Sequence, residues 1–196
     1  MIEAIKSLDT RLFLWLNSLH QPWLDQPMYL MTTEKFWIPA YLLMLWMVYK
    51  AHGWRIMLWS ILGVAVVITL GDRISVELFK NVFQRYRPPH NLDIGHLVHT
   101  VNDYRGGQFG FVSSHATNSL AIATFIYLLL RRAFAKWAWW VFAWAGLFTY
   151  TRIYLGVHYP ADVVCGGLLG VAIGAGVYWG FKRWVPGVEL GPHTKS

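Results

Sequence analysis

Charged residues and cysteine are both scarce in this sequence. Only 14% of the 196 residues are charged, against about 25% in an ordinary soluble domain, while 56% are hydrophobic. Much of the folded surface must therefore face something other than water, and lipid is the expected environment. The single cysteine, Cys165, lies within an apolar run, which excludes an intrachain disulfide and a cysteine-based zinc site.

A cleavable signal peptide and a nucleic-acid motif are also missing from the sequence. The first 20 residues have neither a sustained apolar core nor a small-residue cleavage site. The net charge is +7, but the sequence contains no known nucleic-acid-binding motif. In a membrane chain such an excess is typical of cytoplasmic loops and of contacts with anionic lipid. We therefore expect membrane lipids as the surroundings, no nucleic-acid partner and no obligatory protein partner.

Five apolar runs predict an all-α fold, a polytopic membrane helix bundle formed by a single domain over residues 1–196. Each run approaches the roughly 20 residues needed to cross the hydrocarbon core. The runs cover residues 36–49, extended back to about Met28; 56–70, continuing toward Lys80; 114–130; 137–150; and 161–181. In the last run Gly166, Gly170 and Gly174 share one helical face, which predicts close packing on another helix.

The remaining segments are amphipathic or polar. Residues 1–27 place Ile5, Leu8, Leu12 and Trp15 near helical spacing, which predicts an amphipathic helix in the membrane interface. If this helix also crosses the bilayer, the count of spans rises from five to six. Residues 81–112 are too polar to cross lipid and predict an extramembrane loop, and residues 186–196 predict a short, loose tail.

Three polar clusters stand at the ends of the predicted spans, at residues 80–89, 113–115 and 152–162. The second span ends where the polar loop begins, and this loop returns to the third span on the same side. The third span crosses away and the fourth crosses back, where the fifth begins. Topology therefore places all three clusters on one face of the membrane.

Lysine and arginine residues mark the opposite face as cytoplasmic. They follow the first, third and fifth spans, where the positive-inside rule applies. These residues are Lys50, Arg55, Arg131, Arg132, Lys136, Lys182 and Arg183. The three clusters would then lie on the outer side of a bacterial-type cytoplasmic (inner) membrane, facing the periplasm or the exterior.

The cations and backbone groups of the clusters suit phosphate. Lys80, Arg87 and Arg152 supply positive charge, and arginine binds phosphate oxygens in bidentate fashion. Ser113 is placed to cap the third span, whose free backbone N–H groups, beginning at Ser114, would form an anion site. The sequence therefore predicts phosphate binding at these five residues.

Two histidines and an aspartate supply the reactive groups. His158 precedes the fifth span and Asp162 falls in its first turn, so that the carboxylate can hold one ring nitrogen while the other acts as nucleophile. His115 is then free to protonate the leaving group as a general acid. Taken singly, these residues and the cations also suit simpler roles, as interfacial anchors, a capped loop histidine or a helix-start acid. Their combination on one face favours a phosphoryl-transfer site.

The pattern Lys-x6-Arg-Pro, Ser-x-His and Arg-x5-His-x3-Asp, from Lys80 to Asp162, resembles the three-part signature of the type 2 phosphatidic acid phosphatase (PAP2) superfamily. The resemblance implies that His158 attacks phosphorus to form a phosphohistidine, that His115 protonates the leaving group and that Asp162 orients the nucleophile. It implies that no metal and no cofactor take part. The phosphate would be held by Lys80, Arg87, Arg152 and Ser113.

Three positions depart from the family pattern. Val112 and Ser114 stand where Pro-Ser-Gly-His is usual, and Thr151 replaces the serine before Arg152. The Cβ of Ser114 keeps the backbone further from phosphate than glycine would, whereas Thr151 retains a hydroxyl. Since no charged or nucleophilic group is lost, the departures bear on substrate preference more than on activity.

The polar loop contains further candidate residues. Tyr104, Arg105 and Phe109 are candidates for contacts with the substrate, because loops at a site commonly select the ligand. Three loop histidines are compatible with a metal site, although solvated loop histidines are commoner, and their role is left open. They are His90, His96 and His99.

The expected function is a metal-independent lipid phosphatase. Its candidate substrates are undecaprenyl diphosphate, phosphatidylglycerol phosphate, phosphatidic acid and a lipid A phosphate. Vanadium haloperoxidases share these phosphate-binding residues, but they are soluble and the apolar runs argue against them. The other alternative is a lipid-phosphate or anion transporter that uses the same cations without hydrolysis. A transporter has no need of the His158–Asp162 pair, which favours the enzyme.

Overall fold

The computed structural model describes residues 2–188, and the regular structure in this part of the chain is helical. Its α-helices are α1 (Ile2–Ser18), α2 (Pro22–Met31), α3 (Ile38–His52), α4 (Trp54–Arg73), α5 (Asn81–Phe83), α6 (Ser114–Leu130), α7 (Trp140–Tyr154) and α8 (Pro160–Trp184). Short 3-10 helices occupy Glu34–Trp37, Pro88–His90 and Gly95–Leu97. The predicted all-α class is confirmed.

Two helices have the length and apolar composition of a membrane span. A π-helical segment, Ile74–Lys80, joins α4 to α5, so that one helix of 30 residues runs over Trp54–Phe83, and α8 has 25 residues. Only 28% of the apolar window in each is buried inside the protein, so most of these apolar side chains face outward, as lipid requires. The apolar α6 is shorter, with 17 residues. The count of five to six spans stays a prediction for the other helices.

The glycine face of α8 lets α6 approach closely, as the sequence predicts. The contact between α6 and α8 is the most extensive of any two helices in the described part of the chain. Helix α6 also packs against α7 and α4, less extensively. A Cβ at Gly166 would lie 2.6 Å from the carbonyl oxygen of Ser113. Cβ atoms at Gly170 and Gly174 would likewise meet carbonyl oxygens of α6, at Thr117 and Ala121. This contact fixes the start of α6 beside the start of α8.

The N-terminal region differs from its prediction. The segment predicted as one N-terminal helix contains α1 and most of α2. Helix α3 does not extend back to Met28, because the helical structure is interrupted between Met31 and Glu34. Pro22 and Pro39 stand in the first turns of α2 and α3, where the missing N–H is not needed, and so they mark two separate helix starts.

Helix α1 turns two of its polar side chains toward the protein. Asp9 and Asn17 are buried together with Phe13, whereas Leu8 and Trp15 are exposed. This orientation suits a helix whose outer face contacts lipid. The Asn17 amide donates to the carbonyl oxygens of Tyr154, at 2.9 Å, and of His99, at 3.2 Å, and thereby ties α1 to α7 and to the polar loop.

Two other segments have ends that differ from the predicted ones. Helix α7 begins and ends later than residues 137–150, so that Arg152 lies on the helix rather than on the connection to α8. The polar loop begins after Phe83 and folds back on itself through backbone hydrogen bonds from Arg87 to Gln108, at 3.0 Å, and from Gly110 to Arg85, at 2.8 Å. Of the predicted tail, residues 186–188 form a turn and residues 189–196 lie outside the described residues.

Candidate active site

The predicted nucleophile, His158, is buried between the end of α7 and the start of α8, with 1% of its surface exposed. Its Nε2 lies 3.0 Å from Nη1 of Arg87. A guanidinium can only donate, so Nε2 is the acceptor and the proton of the neutral ring belongs on Nδ1. Burial, and then the positive charges of Arg87, Arg152 and Lys80, lower the pKa of His158 well below 6.5. The ring is therefore neutral at physiological pH, which is the state a nucleophile needs.

Asp162 lies beside His158 but is not hydrogen-bonded to it. The distance from Nδ1 to Oδ2 is 3.5 Å, and Nδ1 has no hydrogen-bond partner among the described residues. The carboxylate is instead held by the backbone N–H of Tyr159, at 3.0 Å, and by Nη1 of Arg85, at 2.8 Å. Asp162 thus lies close to the ring without the expected hydrogen bond to Nδ1, and its orienting role stays a prediction.

Lys80 reaches the site from the π-helical segment between α4 and α5. Its Nζ donates to Oγ of Ser114 at 2.7 Å, and that oxygen also lies 2.7 Å from Oγ of Ser75. The hydroxyl of Ser114, which departs from the family pattern, therefore fixes the position of the ammonium group.

Arg87 enters the site from the polar loop. Its Nε donates to the carbonyl oxygen of Phe109 at 3.2 Å, and its Nη1 lies 3.4 Å from that of Val157. Burial, and then the charge of Arg152, lower the pKa of Arg87 to about 10. The side chain remains cationic at neutral pH, and the two carbonyl groups direct it toward His158.

Arg152 is 1% exposed and is held from two sides. Its Nη1 donates to Oγ1 of Thr32 at 2.6 Å, and its Nη2 donates to the hydroxyl of Tyr104 at 3.0 Å. Its Nε has no hydrogen-bond partner within residues 2–188. A buried donor without a partner is costly, so this guanidinium has unused capacity for an anion.

Ser113 and His115 stand at the start of α6. Oγ of Ser113 accepts from the backbone N–H of Ala116 at 3.4 Å, which confirms the predicted N-cap. The backbone N–H of Ser113 donates to the carbonyl oxygen of Asp162 at 3.0 Å and thereby joins α6 to α8. The ring of His115 packs on Phe148, with 5.6 Å between the centroids.

The three residues proposed for substrate contact have different positions. Tyr104 touches the site through its hydroxyl on Arg152. Phe109 acts through its backbone carbonyl on Arg87, while its ring packs on Tyr86 with a centroid distance of 5.5 Å. Arg105 is exposed on the surface of the loop.

The loop histidines lie apart from one another. His99 stacks on His20 at 3.7 Å, with its Nε2 3.1 Å from Oδ1 of Asp25. His90 approaches the carbonyl oxygen of Gly106 at 3.4 Å, and His96 is exposed. Within residues 2–188, no group of three or more His, Cys, Asp or Glu side chains is arranged to hold a metal ion.

Arg85 and Asp9 belong to the site although the sequence assigned them no role. Arg85 donates from Nη1 to Asp162 and from Nη2 to Oδ2 of Asp9, at 2.7 Å, and it stacks 3.9 Å above the ring of Tyr159. Burial alone would lower its pKa, but the two carboxylates outweigh burial and raise it. Asp9, an acid on the amphipathic helix α1, was the one sequence signal for this contact.

Gly110 also escaped the sequence analysis. A Cβ there would lie 3.0 Å from Cγ of Arg87 and 3.2 Å from Oδ2 of Asp162. Because Gly110 has no side chain, the loop segment that contains it can pass close to His158 and Asp162.

A buried neutral histidine, a neighbouring carboxylate and three convergent cations, set in a bundle of apolar helices, define a membrane enzyme of phosphoryl transfer. The sequence profile of the PAP2 superfamily matches residues 54–186. The chain belongs to the PAP2 superfamily, and the family predicted from its three motifs is confirmed.

Two relatives match nearly the whole chain. The lipid A 4'-phosphatase of Bacteroides thetaiotaomicron is 38% identical over 188 residues, which cover 94% of this chain and 78% of the relative. The lipid A 4'-phosphatase of Porphyromonas gingivalis is 32% identical over 188 residues, with coverage of 94% and 79%. Since these homologues are phosphatases of the same family, the predicted class of enzyme, a lipid phosphatase, is confirmed.

A solved structure supports the same fold. The transmembrane PAP2-type phosphatidylglycerolphosphate phosphatase from Bacillus subtilis superimposes with a TM-score of 0.67, at 23% identity, over 93% of this chain and 89% of its own. This likeness confirms the fold, while the side of the membrane that holds the site remains a prediction.

Proposed function

We propose that the protein removes a phosphate group from lipid A, or from a closely related phosphorylated glycolipid, through a phosphohistidine on His158. The observation that carries the mechanism is the neutral His158 ring with its acceptor nitrogen directed at Arg87, 3.0 Å away. The similarity to two lipid A 4'-phosphatases over 94% of the chain favours this substrate among the four candidates.

The first half-reaction transfers the phosphoryl group to the enzyme. Lys80, Arg87 and Arg152 hold the phosphate oxygens, and Arg87 exchanges its bond to His158 for one of them. Nε2 of His158 then attacks phosphorus while the phosphorus–oxygen bond to the lipid breaks. His115 donates a proton to the departing oxygen, and the lipid leaves as a neutral alcohol.

The second half-reaction returns the enzyme to its starting state. His115, now without its proton, takes one from a water molecule as that water attacks the phosphohistidine. The phosphorus–nitrogen bond breaks, and inorganic phosphate leaves. Throughout, Asp162 balances the positive charge that develops on the ring through Nδ1–H.

The lipid chains of the substrate would lie in an apolar cavity of about 330 Å³ between α3, α4 and α6. It adjoins a smaller cavity at the site, and both are lined by Tyr41, Ile68 and Ile122. This position suits a substrate that enters from the bilayer at the outer face.

The test is phosphate release by purified protein in detergent with EDTA, from each of the four candidate lipids. We expect release from the lipid A phosphate, and a loss of at least about a thousandfold in His158→Ala, because the nucleophile is gone. The exposed His96→Ala is the matched control and should keep wild-type activity. Rapid quenching with radiolabelled substrate should leave acid-labile, base-stable label on wild type and none on His158→Ala.

The transporter alternative makes the opposite prediction. If the folded wild-type protein releases no phosphate from any of the lipids, and His158→Ala still moves lipid phosphate across vesicle membranes, the enzyme proposal is wrong. The same lipids in both assays keep the two outcomes comparable.

A further inference from the structure

A cavity of about 190 Å³ opens beside His115 and Ser114, between α3, α4, α6 and α7. Its polar lining is acidic or neutral, and Lys80 borders it through the hydrogen bond to Ser114. No lysine or arginine is among the described residues that line it. The full lining consists of Glu34, Tyr41, Ile68, Asp72, Ser114, His115, Asn118, Ser119, Ile122, Trp144 and Phe148.

The cavity lies where the leaving group must be. In phosphoryl transfer the attacking and leaving atoms stand roughly in line on opposite sides of phosphorus. His158 attacks from the side of α8, and His115, which protonates the leaving oxygen, lines the cavity. The alcohol portion of the substrate therefore occupies this space, and its chains continue into the apolar cavity that shares Tyr41, Ile68 and Ile122.

The carboxylate of Asp72 is held in place for such a ligand. Its Oδ1 accepts from Nδ2 of Asn118 at 2.8 Å, which fixes the side chain and leaves Oδ2 for another donor. Glu34 precedes α3 in a short 3-10 turn and has no ion-pair partner within the described residues. Two carboxylates thus line the space. Neither forms an ion pair with a described residue, although Lys80 lies close enough to Asp72 for their charges to interact.

We propose that Asp72 and Glu34 select the leaving group, and that this subsite takes an uncharged, hydroxyl- and amide-bearing sugar. Its O–H and N–H groups would donate to the two carboxylates. A lipid diphosphate would instead place a second phosphate among them, and like charges at such short range repel strongly. The inference rests on the proposed function, since it assumes that the reaction takes place at His158.

The experiment compares two substrates on matched variants. The substrates are a 4'-phosphorylated lipid A and undecaprenyl diphosphate, and the measured quantity is the ratio of their kcat/KM values. The variants are Asp72→Asn, Glu34→Gln and the double substitution, each of which removes charge and keeps the shape of the side chain. Glu77→Gln is the control, because Glu77 pairs with Arg73 on the surface at 3.2 Å and does not line the cavity.

We expect the ratio to move toward the diphosphate by about tenfold in Asp72→Asn and further in the double variant, because repulsion is relieved and sugar contacts are weakened. Thermal unfolding should show that all variants are folded. An unchanged ratio in the folded double variant, or an equal shift in Glu77→Gln, overturns the proposed selection while leaving the phosphatase itself intact. Failure of the wild type to release phosphate from any lipid would instead overturn the proposed function.

Discussion

His158 shows how the surroundings of one residue set its chemistry. Its ring is buried and faces three cations, and each of these factors disfavours the imidazolium form. The carboxylate of Asp162 favours the imidazolium form, but it lies 3.5 Å from Nδ1, and its charge is partly balanced by the ion pair with Arg85. The neutral state therefore dominates, and in the proposed mechanism positive charge appears on the ring only when phosphorus bonds to it.

This balance predicts how activity depends on pH. Because the pKa of His158 is lowered, falling pH protonates the ring only well below 6.5, so the acid limb of kcat/KM should lie below that value. Replacing Arg87 by Gln removes one of the charges that lower this pKa, and the limb should then move to higher pH as the overall rate falls. The measurement is kcat/KM for phosphate release between pH 4 and 8. A limb that stays in place in Arg87→Gln would assign it to another group.

Sequence reasoning reached most residues of the site and missed those that act through others. Lys80, Arg87 and Arg152 were identifiable because phosphate chemistry requires their charge near the two histidines. Arg85 and Asp9 were not, because their contact joins residues 76 apart in the chain and depends on how α1 lies against α8. No local pattern encodes such a contact.

At the scale of helices, α1 stabilises the site through Asp9. Oδ1 of Asp9 accepts from the backbone N–H of Ala161 at 2.9 Å, at the start of α8, while Oδ2 holds Arg85. The carboxylate thus satisfies a free donor of the helix and supports the arginine that positions Asp162.

We expect Asp9→Ala to lower the stability by about 1–3 kcal/mol, because a partly buried guanidinium and a helix N–H lose their partner. The kcat should fall by about tenfold, since Asp162 is then less firmly held. Thermal unfolding and kcat measure the two effects. Glu3→Ala is the control on the same helix, because its exposed pair with Lys6 contributes little. Equal effects of the two substitutions would contradict the role given to Asp9.

The contact between α6 and α8 gives a second test at this scale. In Gly170→Ala the new Cβ meets the backbone carbonyl of Thr117, so the helices must separate and the unfolding temperature should drop by several degrees. Gly176→Ala on the same helix meets nothing within 4 Å and should be neutral or slightly stabilising. If both variants melt alike, the glycine face is not what brings the two helices together.

The helices were predicted best where apolar runs have clear ends. Residues 114–130 of α6 match the prediction, because Ser113 caps the helix and Arg131 ends the apolar run. The extension of α4 through charged residues to Lys80 was also foreseen. The break before α3 was missed although two sequence features mark it, the polar run Thr-Thr-Glu-Lys at residues 32–35 and Pro39 at the new helix start.

At the scale of the whole molecule, a cluster of basic residues and the candidate active site lie at opposite ends of the helix bundle. The turn between α6 and α7 carries Arg131, Arg132 and Lys136, while the catalytic cluster lies at the opposite end of α6. From this distribution of charge, the positive-inside rule predicts that the site faces the exterior.

Cysteine labelling in spheroplasts tests this orientation. In a Cys165→Ser background, Leu92→Cys on the polar loop should react with a membrane-impermeant maleimide, because Leu92 is 97% exposed. Lys136→Cys, in the exposed turn between α6 and α7, should react only after the membrane is permeabilised. The reverse pattern would place the site on the cytoplasmic side.

The hydrogen bond from Arg87 to His158 has a consequence for the resting enzyme. The lone pair of Nε2, with which the ring would attack, accepts a hydrogen bond from the guanidinium of Arg87. A compound without enough negative charge to draw Arg87 away meets a nitrogen whose lone pair is hydrogen-bonded. We therefore expect neutral electrophiles in the membrane to react only slowly with His158, whereas a phosphate dianion would draw Arg87 away and free the nitrogen that attacks it.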